Sequence, residues 1–174
     1  MATATDGSLV RRMMGAAMLN VGVYEEVEAD QGATTQAAIV VAIVAVAQAI
    51  GAAGSGGRGI IGAVIGAVVG WLLWAGITYL IGDKLLGGTA TWGELLRTIG
   101  FAQAPGVLYV FAIIPILGWV VRLVVAIWIL IAGIIAIRQA LDFSTGKAVV
   151  TALLGWLAMM VLMMIFGGFA ALAM

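Results

Sequence analysis

The chain has 174 residues, 64% of them apolar and 9% charged, and a mean hydropathy of +1.22, which excludes a soluble domain and describes an integral membrane protein. Eight basic and eight acidic residues cancel, so no net field draws the chain to nucleic acid. Cysteine and histidine are absent, which removes disulfides, thiolate nucleophiles, imidazole bases and the usual soft or borderline metal ligands.

Residues 1–33 form the one extended polar region. Their apolar positions are broken by Arg11, Arg12 and Gly15, without the continuous apolar core of a signal peptide, so the N-terminus is expected to be retained. Ser8 suits an N-cap, and LVRRMMGAAMLNV predicts an amphipathic helix with Val10, Met13, Met14, Ala17 and Met18 toward lipid. In VGVYEEVEADQG, Tyr24 and Val27 share a face, and Glu25, Glu26, Glu28 and Asp30 share water. Carboxylates suit a hard cation such as Ca²⁺ or Mg²⁺, but no Asp-x-Asp-x-Asp-Gly loop frames these four; a solvated, membrane-flanking face is the simpler reading.

Thr34 and Thr35 are candidate caps for a first span over residues 35–53, interrupted only by Gln36 and Gln48. GSGGR at residues 54–58 predicts a tight turn and an antiparallel hairpin. The second span, 59–82, carries Gly62, Gly66 and Gly70 on one face, where the lack of a side chain admits a second helix backbone; Trp71 and Trp74 flank that groove. Packing within the chain and dimerisation use such a row by the same physics, and packing within the chain is the favoured reading. GDKLLGGTA, with Asp83 and Lys84, returns the chain to water. Thr91 with Glu94 is a capping-box signature, opening a helix with Trp92, Leu95, Leu96 and Ile99 on one side. Ten residues rise only about 15 Å, so this helix is expected to lie at the interface.

A third span over 101–117 contains Pro105 and Pro115, each of which removes a backbone donor, and is expected to bend. A fourth, 118–138, follows after a short link and carries Arg122 roughly a turn from its outer end. Ser144 or Thr145 caps a fifth over 147–173, whose Met159, Met160, Met163 and Met164 read as adaptable packing. Arg11, Arg12, Lys84, Arg97, Arg138 and Lys147 then share one side and Arg58 and Arg122 the other, so the positive-inside bias predicts a cytoplasmic N-terminus and an external C-terminus. The fold class is an all-α transmembrane bundle of five spans with amphipathic interfacial segments.

Three stretches carry a family resemblance: VYEEVEAD at residues 23–30, TWGELLRTIGFAQAPGVL at 91–108 followed by Pro115, and ALDFSTGKAVVTALLGW at 140–156. In that order they resemble bacterial members of the Yip domain family, membrane proteins whose eukaryotic relatives interact with Rab-type GTPases. The resemblance implies a five-span, non-enzymatic membrane protein of the bacterial plasma membrane, associated in eukaryotes with vesicle trafficking and membrane shaping. The longer polar N-terminal region and the Asp-Leu-Tyr-Gly-Pro type motif of eukaryotic members are missing here, so GTPase binding is not carried over.

Chemistry has few candidates. The three serines fall outside the spans, no histidine activates them, and no aspartate lies within a span, so neither a serine hydrolase nor a paired-aspartate site is expected, nor any cofactor or metal. Arg122 either snorkels to the outer headgroups, the simpler reading, or makes a pore-lining or lipid-phosphate contact with Gln103, Tyr109 or carbonyls freed by Pro115 on the bent third helix, which also holds Pro105. Trp128 and Trp156 read as space-filling, since a liganded pigment has lost its commonest axial partner. The leading expectation is a scaffold, membrane-organising protein or accessory subunit that contacts lipid, copies of itself or a larger membrane complex. Its surfaces would be the Gly62, Gly66, Gly70 face and a cytoplasmic belt of Tyr24, Glu25, Glu26, Glu28, Trp92, Glu94 and Arg97. The alternative is a small transporter or channel component using the bent third helix and Arg122.

Overall fold

The computed structural model describes residues 7–53 and 59–172, with side chains to Ile165. The expected GSGGR turn, Arg58 and the last residue of the fifth span lie outside the described residues. The helices are α1 (Leu9–Ala17), α2 (Val21–Ala29), α3 (Ala33–Gly51), α4 (Ile60–Tyr79), α5 (Trp92–Ala102), α6 (Leu117–Ala140) and α7 (Thr145–Leu172). Five elements are long and apolar enough to cross a bilayer: α3, α4 with its continuation to Leu85, Trp92–Ile113, α6 and α7.

Local chemistry sets most boundaries. The Ser8 side chain accepts from Arg11 N and starts α1. Leu19, with φ +60°, turns the chain, and the Asn20 side chain accepts from Gly22 N to open α2. Asp30 Oδ1 then accepts from Gly32 N at 2.9 Å, so α3 begins at Ala33; Thr34 and Thr35 lie in its first turn instead of capping it. The helix α4 ends in a wider i→i+5 turn at Leu80–Leu85. The capping box forms as the spacing predicts, Thr91 N donating to Glu94 Oε2 at 2.7 Å and Glu94 N to Thr91 Oγ1 at 3.3 Å. Ser144 Oγ likewise accepts from Lys147 N at the start of α7.

The third span differs from the expected one. The segment read as interfacial is buried on every side from Leu95 to Ala102, packed by α2, α3, α4 and α6. Its small residues explain this: a side chain on Gly100 would press on Ala37 Cβ at 2.7 Å, and the Thr98 hydroxyl is satisfied within the helix by Glu94 O at 2.9 Å. Pro105 has no N–H, so the α ladder stops at Gln103 and the chain tightens into a 3₁₀ segment, Ala104–Ile113. The third crossing is therefore Trp92–Ile113, and Pro115 sits in the link to α6, where Ile116 takes φ +69°.

The core gathers at the polar end, where α2, α3, α5 and α6 meet around the fully buried Tyr24, Leu95, Ile99, Phe101, Ile137 and Leu141. Toward lipid the outer helices keep bare apolar faces, as with Leu123, Ile127 and Ile131 on α6. The pair α1–α2 does not lie flat on the bundle. It packs on α5, α6 and the 3₁₀ segment, and Trp128 Nε1 donates to Ala17 O at 2.8 Å. Since Trp128 stands twelve residues before Ala140, about 18 Å of helix rise, the turn between α1 and α2 reaches well down α6. Val10, Met14 and Met18 face outward as the amphipathic pattern predicts, while Met13 and Ala17 turn toward the core.

Candidate functional site

At the polar end, charge holds the N-terminal hairpin to the bundle. The buried Arg12 pairs with Glu26 at 2.9 Å and Asp30 at 2.7 Å and donates to Gln36 Oε1 at 3.0 Å, tying α1 to α2 and α3. Arg11 also bonds Glu26. Hydrogen bonds from Arg11, with a further contribution from Arg12, hold the Glu26 carboxyl below the usual range; Arg12 does the same for Asp30. Arg97, 6% exposed, donates from Nε to Val27 O at 2.9 Å and to Glu28 O at 3.0 Å, with Nη2 also on Glu28 O. A cation thus meets the carbonyls that α2 leaves unpaired at its C-terminus.

The expected contact belt is therefore divided. Tyr24 is fully buried, its hydroxyl donating to Ala16 O at 3.0 Å and its pKa raised by burial. Arg97 and Glu26 are committed to internal partners. Glu25, half-buried Glu28, Glu94 and exposed Trp92 remain accessible. Glu25, Glu28 and Glu94 line a shallow pocket with Gln139 and Asp142, where Gln139 Nε2 donates to Glu25 at 3.0 Å and Thr89 to Asp142 at 2.7 Å. Burial, then the charges of Glu94 and Asp142, push the Glu28 carboxyl up to about 7, against the pull of Arg97. Among the described residues these acids do not converge in a metal-holding group.

At the far end, Arg122 Nη2 donates to Gly51 O at 3.1 Å, so this span arginine caps the C-terminus of α3. Tyr109 contributes backbone: a Cβ at Gly51 would collide with its carbonyl oxygen, so only glycine allows the 3₁₀ segment this close. Gln103 lies at the junction between α5 and that segment; Pro105 is buried beside it, and Pro115 is exposed in the link. The structure thus brings Tyr109 and Arg122 together at Gly51 and leaves Pro115 apart. Trp71 Nε1 plays a comparable part within the bundle, donating to Leu96 O at 3.0 Å. Sequence reading missed these side-chain-to-carbonyl ties; the signal available was an arginine or tryptophan standing alone in an apolar helix.

Of the expected helix-packing glycines, Gly62 and Gly66 are exposed and Gly70 half-buried, and a Cβ at Gly66 or Gly70 would meet nothing within 4 Å. Only 11% of the α4 window is buried, against 61% for Trp92–Ile113.

A family model, the Yip1 domain, matches residues 21–166, from the start of α2 into the last turns of α7. No curated protein and no solved structure matches the chain. With the match running through α2, all five spans and the proline-interrupted third crossing, the chain belongs to the Yip1 domain family of multi-span membrane proteins.

Proposed function

We propose that the protein is a non-enzymatic, membrane-organising scaffold that works by self-association through α4. One contrast carries the reading. Gly51, Gly100, Gly106 and Gly118 each face an atom of this chain closer than a Cβ could tolerate, whereas Gly66 and Gly70, on the least buried span, face open space. Helices in lipid gain little from apolar burial and associate where small residues let backbones approach, so an uncovered glycine row on an exposed helix suits a second copy's α4. In this reading the chain lies in a bacterial plasma membrane with its N-terminus cytoplasmic, following the lysine and arginine bias.

Replacing Gly66 by leucine tests this at little cost to the monomer, because the position is exposed and a Cβ there meets nothing within 4 Å. Wild type should run in mild detergent as a dimer or larger and Gly66→Leu as a monomer with the same thermal midpoint. A monomeric wild type, or an unchanged size for the variant, overturns the proposal. The transport alternative asks Arg122 to serve a solute, whereas its guanidinium already donates to Gly51 O. Solute flux into liposomes that is lost in Arg122→Ala would favour that alternative; sealed vesicles leave the scaffold.

A further inference from the structure

Between α4, α5, α6 and α7 lies a cavity of about 600 Å³, within the range of small-molecule sites. Trp74, Ile99, Ile129, Gly133 and Trp156 stand in its wall, and among the described residues Gln103 is the one polar, non-aromatic side chain there and no charged residue lines it. A smaller cavity on the α3 side also uses Trp74 and Gln103 and adds Gln48. Neither glutamine carboxamide has a hydrogen-bond partner within the described residues.

Depth makes this arrangement informative. Gln103 lies eleven residues past Trp92 and Trp156 eleven past Thr145, each about 16 Å of rise and so near the middle of a hydrocarbon layer roughly 30 Å thick. An unpaired amide there is costly, because hydrocarbon offers it nothing. The absence of charge in the wall disfavours a phosphate or ammonium headgroup, which needs an opposite charge when taken out of water. An uncharged oxygen is the partner an amide can satisfy at that depth.

We propose that this cavity binds an uncharged lipid of the diacylglycerol type, its chains along the apolar walls and a hydroxyl or ester oxygen paired with the Gln103 carboxamide. None of Gly62, Gly66 and Gly70 lines the larger cavity, although Gly70 borders the smaller one, and the proposal does not depend on self-association. Two substitutions probe it with little cost to the fold. Gln103→Leu removes no side-chain hydrogen bond among the described residues, and Gly133→Phe grows from a position where a Cβ meets nothing within 4 Å.

The test uses the full chain in phosphatidylcholine nanodiscs containing a few mole percent of either diacylglycerol or phosphatidylcholine with a diazirine in the acyl chain. After photolysis, diacylglycerol should label Ile129, Leu130 and Leu153 in excess over phosphatidylcholine. That excess should fall about fivefold in Gln103→Leu, the effect of one lost hydrogen bond, and disappear in Gly133→Phe. Equal labelling by the two lipids would identify ordinary boundary lipid and overturn the proposal. So would an undiminished excess in whichever variant keeps the wild-type thermal midpoint.

Discussion

Arg97 offers the sharpest test of how the N-terminal hairpin is held. Arg97→Ala removes its donations to Val27 O and Glu28 O, both at the C-terminus of α2. Hydrogen bonds from a charged donor contribute about 1.5–3 kcal/mol each, and the dehydration of a guanidinium only 6% exposed offsets part of this. A net loss of about 3 kcal/mol in hairpin docking follows, roughly a hundredfold in the undocked population at about 1.4 kcal/mol per tenfold. Hydrogen–deuterium exchange in nanodiscs reads that population: α2 amides should exchange about a hundredfold faster while the middle of α6 keeps its protection. Arg97→Lys should fall between, since an ammonium keeps the charge but not the fork that reaches two carbonyls. Exchange of α2 within threefold of wild type, or equal acceleration in α6, refutes the assignment of Arg97 to this joint.

Glu28 gives the joint a pH dependence. With its carboxyl raised to about 7 from the ordinary 4.5, the docked form holds, between those two values, a proton that the released form gives up. The Glu28 contribution to docking is fully present below about pH 4.5 and is lost as pH rises through about 7, opposite in sign to that of Glu26 and Asp30, whose lowered carboxyls favour docking above their ordinary range. Glu28→Gln should therefore raise the thermal midpoint at pH 8, raise it less at pH 5.5 and lose that advantage below about pH 4.5; an offset independent of pH would count against the cause given. Gly51→Ala should destabilise by about 1–3 kcal/mol, the usual cost of overpacking, because its Cβ overlaps Tyr109 O and displaces the carbonyl that Arg122 caps. Gly76→Ala, with nothing within 4 Å of the new methyl, serves as the control, and equal midpoints for the two variants would contradict the contact. Trp128→Phe deletes the bond to Ala17 O, about 1 kcal/mol, and should speed exchange around Met18–Val21 about fivefold. Unchanged exchange there would mean the indole only fills space.

Much of the architecture was legible because it rests on local rules. Ser8, the Thr91–Glu94 box and Ser144 cap as their spacing predicts, and the five apolar stretches mark the crossings. The misplaced start of the third span has a specific cause: Glu94, Arg97 and Thr98 make the segment look wet. Glu94 closes a capping box, Thr98 bonds back into its own helix, and Arg97 is spent on α2. Each polar atom is satisfied by tertiary or local structure that hydropathy does not register. The glycine row shows the complementary limit. Its periodicity fixes a common face, but whether a neighbour covers that face depends on how α4 is set against α3, α5 and α7, a matter of packing across the whole bundle.

The joint that Arg12, Arg97 and Trp128 hold together also shapes the outline of the molecule. At one end α1 and α2 are added to the five crossing elements; at the other they are missing, because the hairpin turns back beside α6. A body with a larger cross-section at one end than at the other displaces lipid unequally from the two halves of any bilayer that it crosses end to end. The taper is fixed by buried side-chain bonds to backbone carbonyls, and it becomes adjustable wherever those bonds loosen.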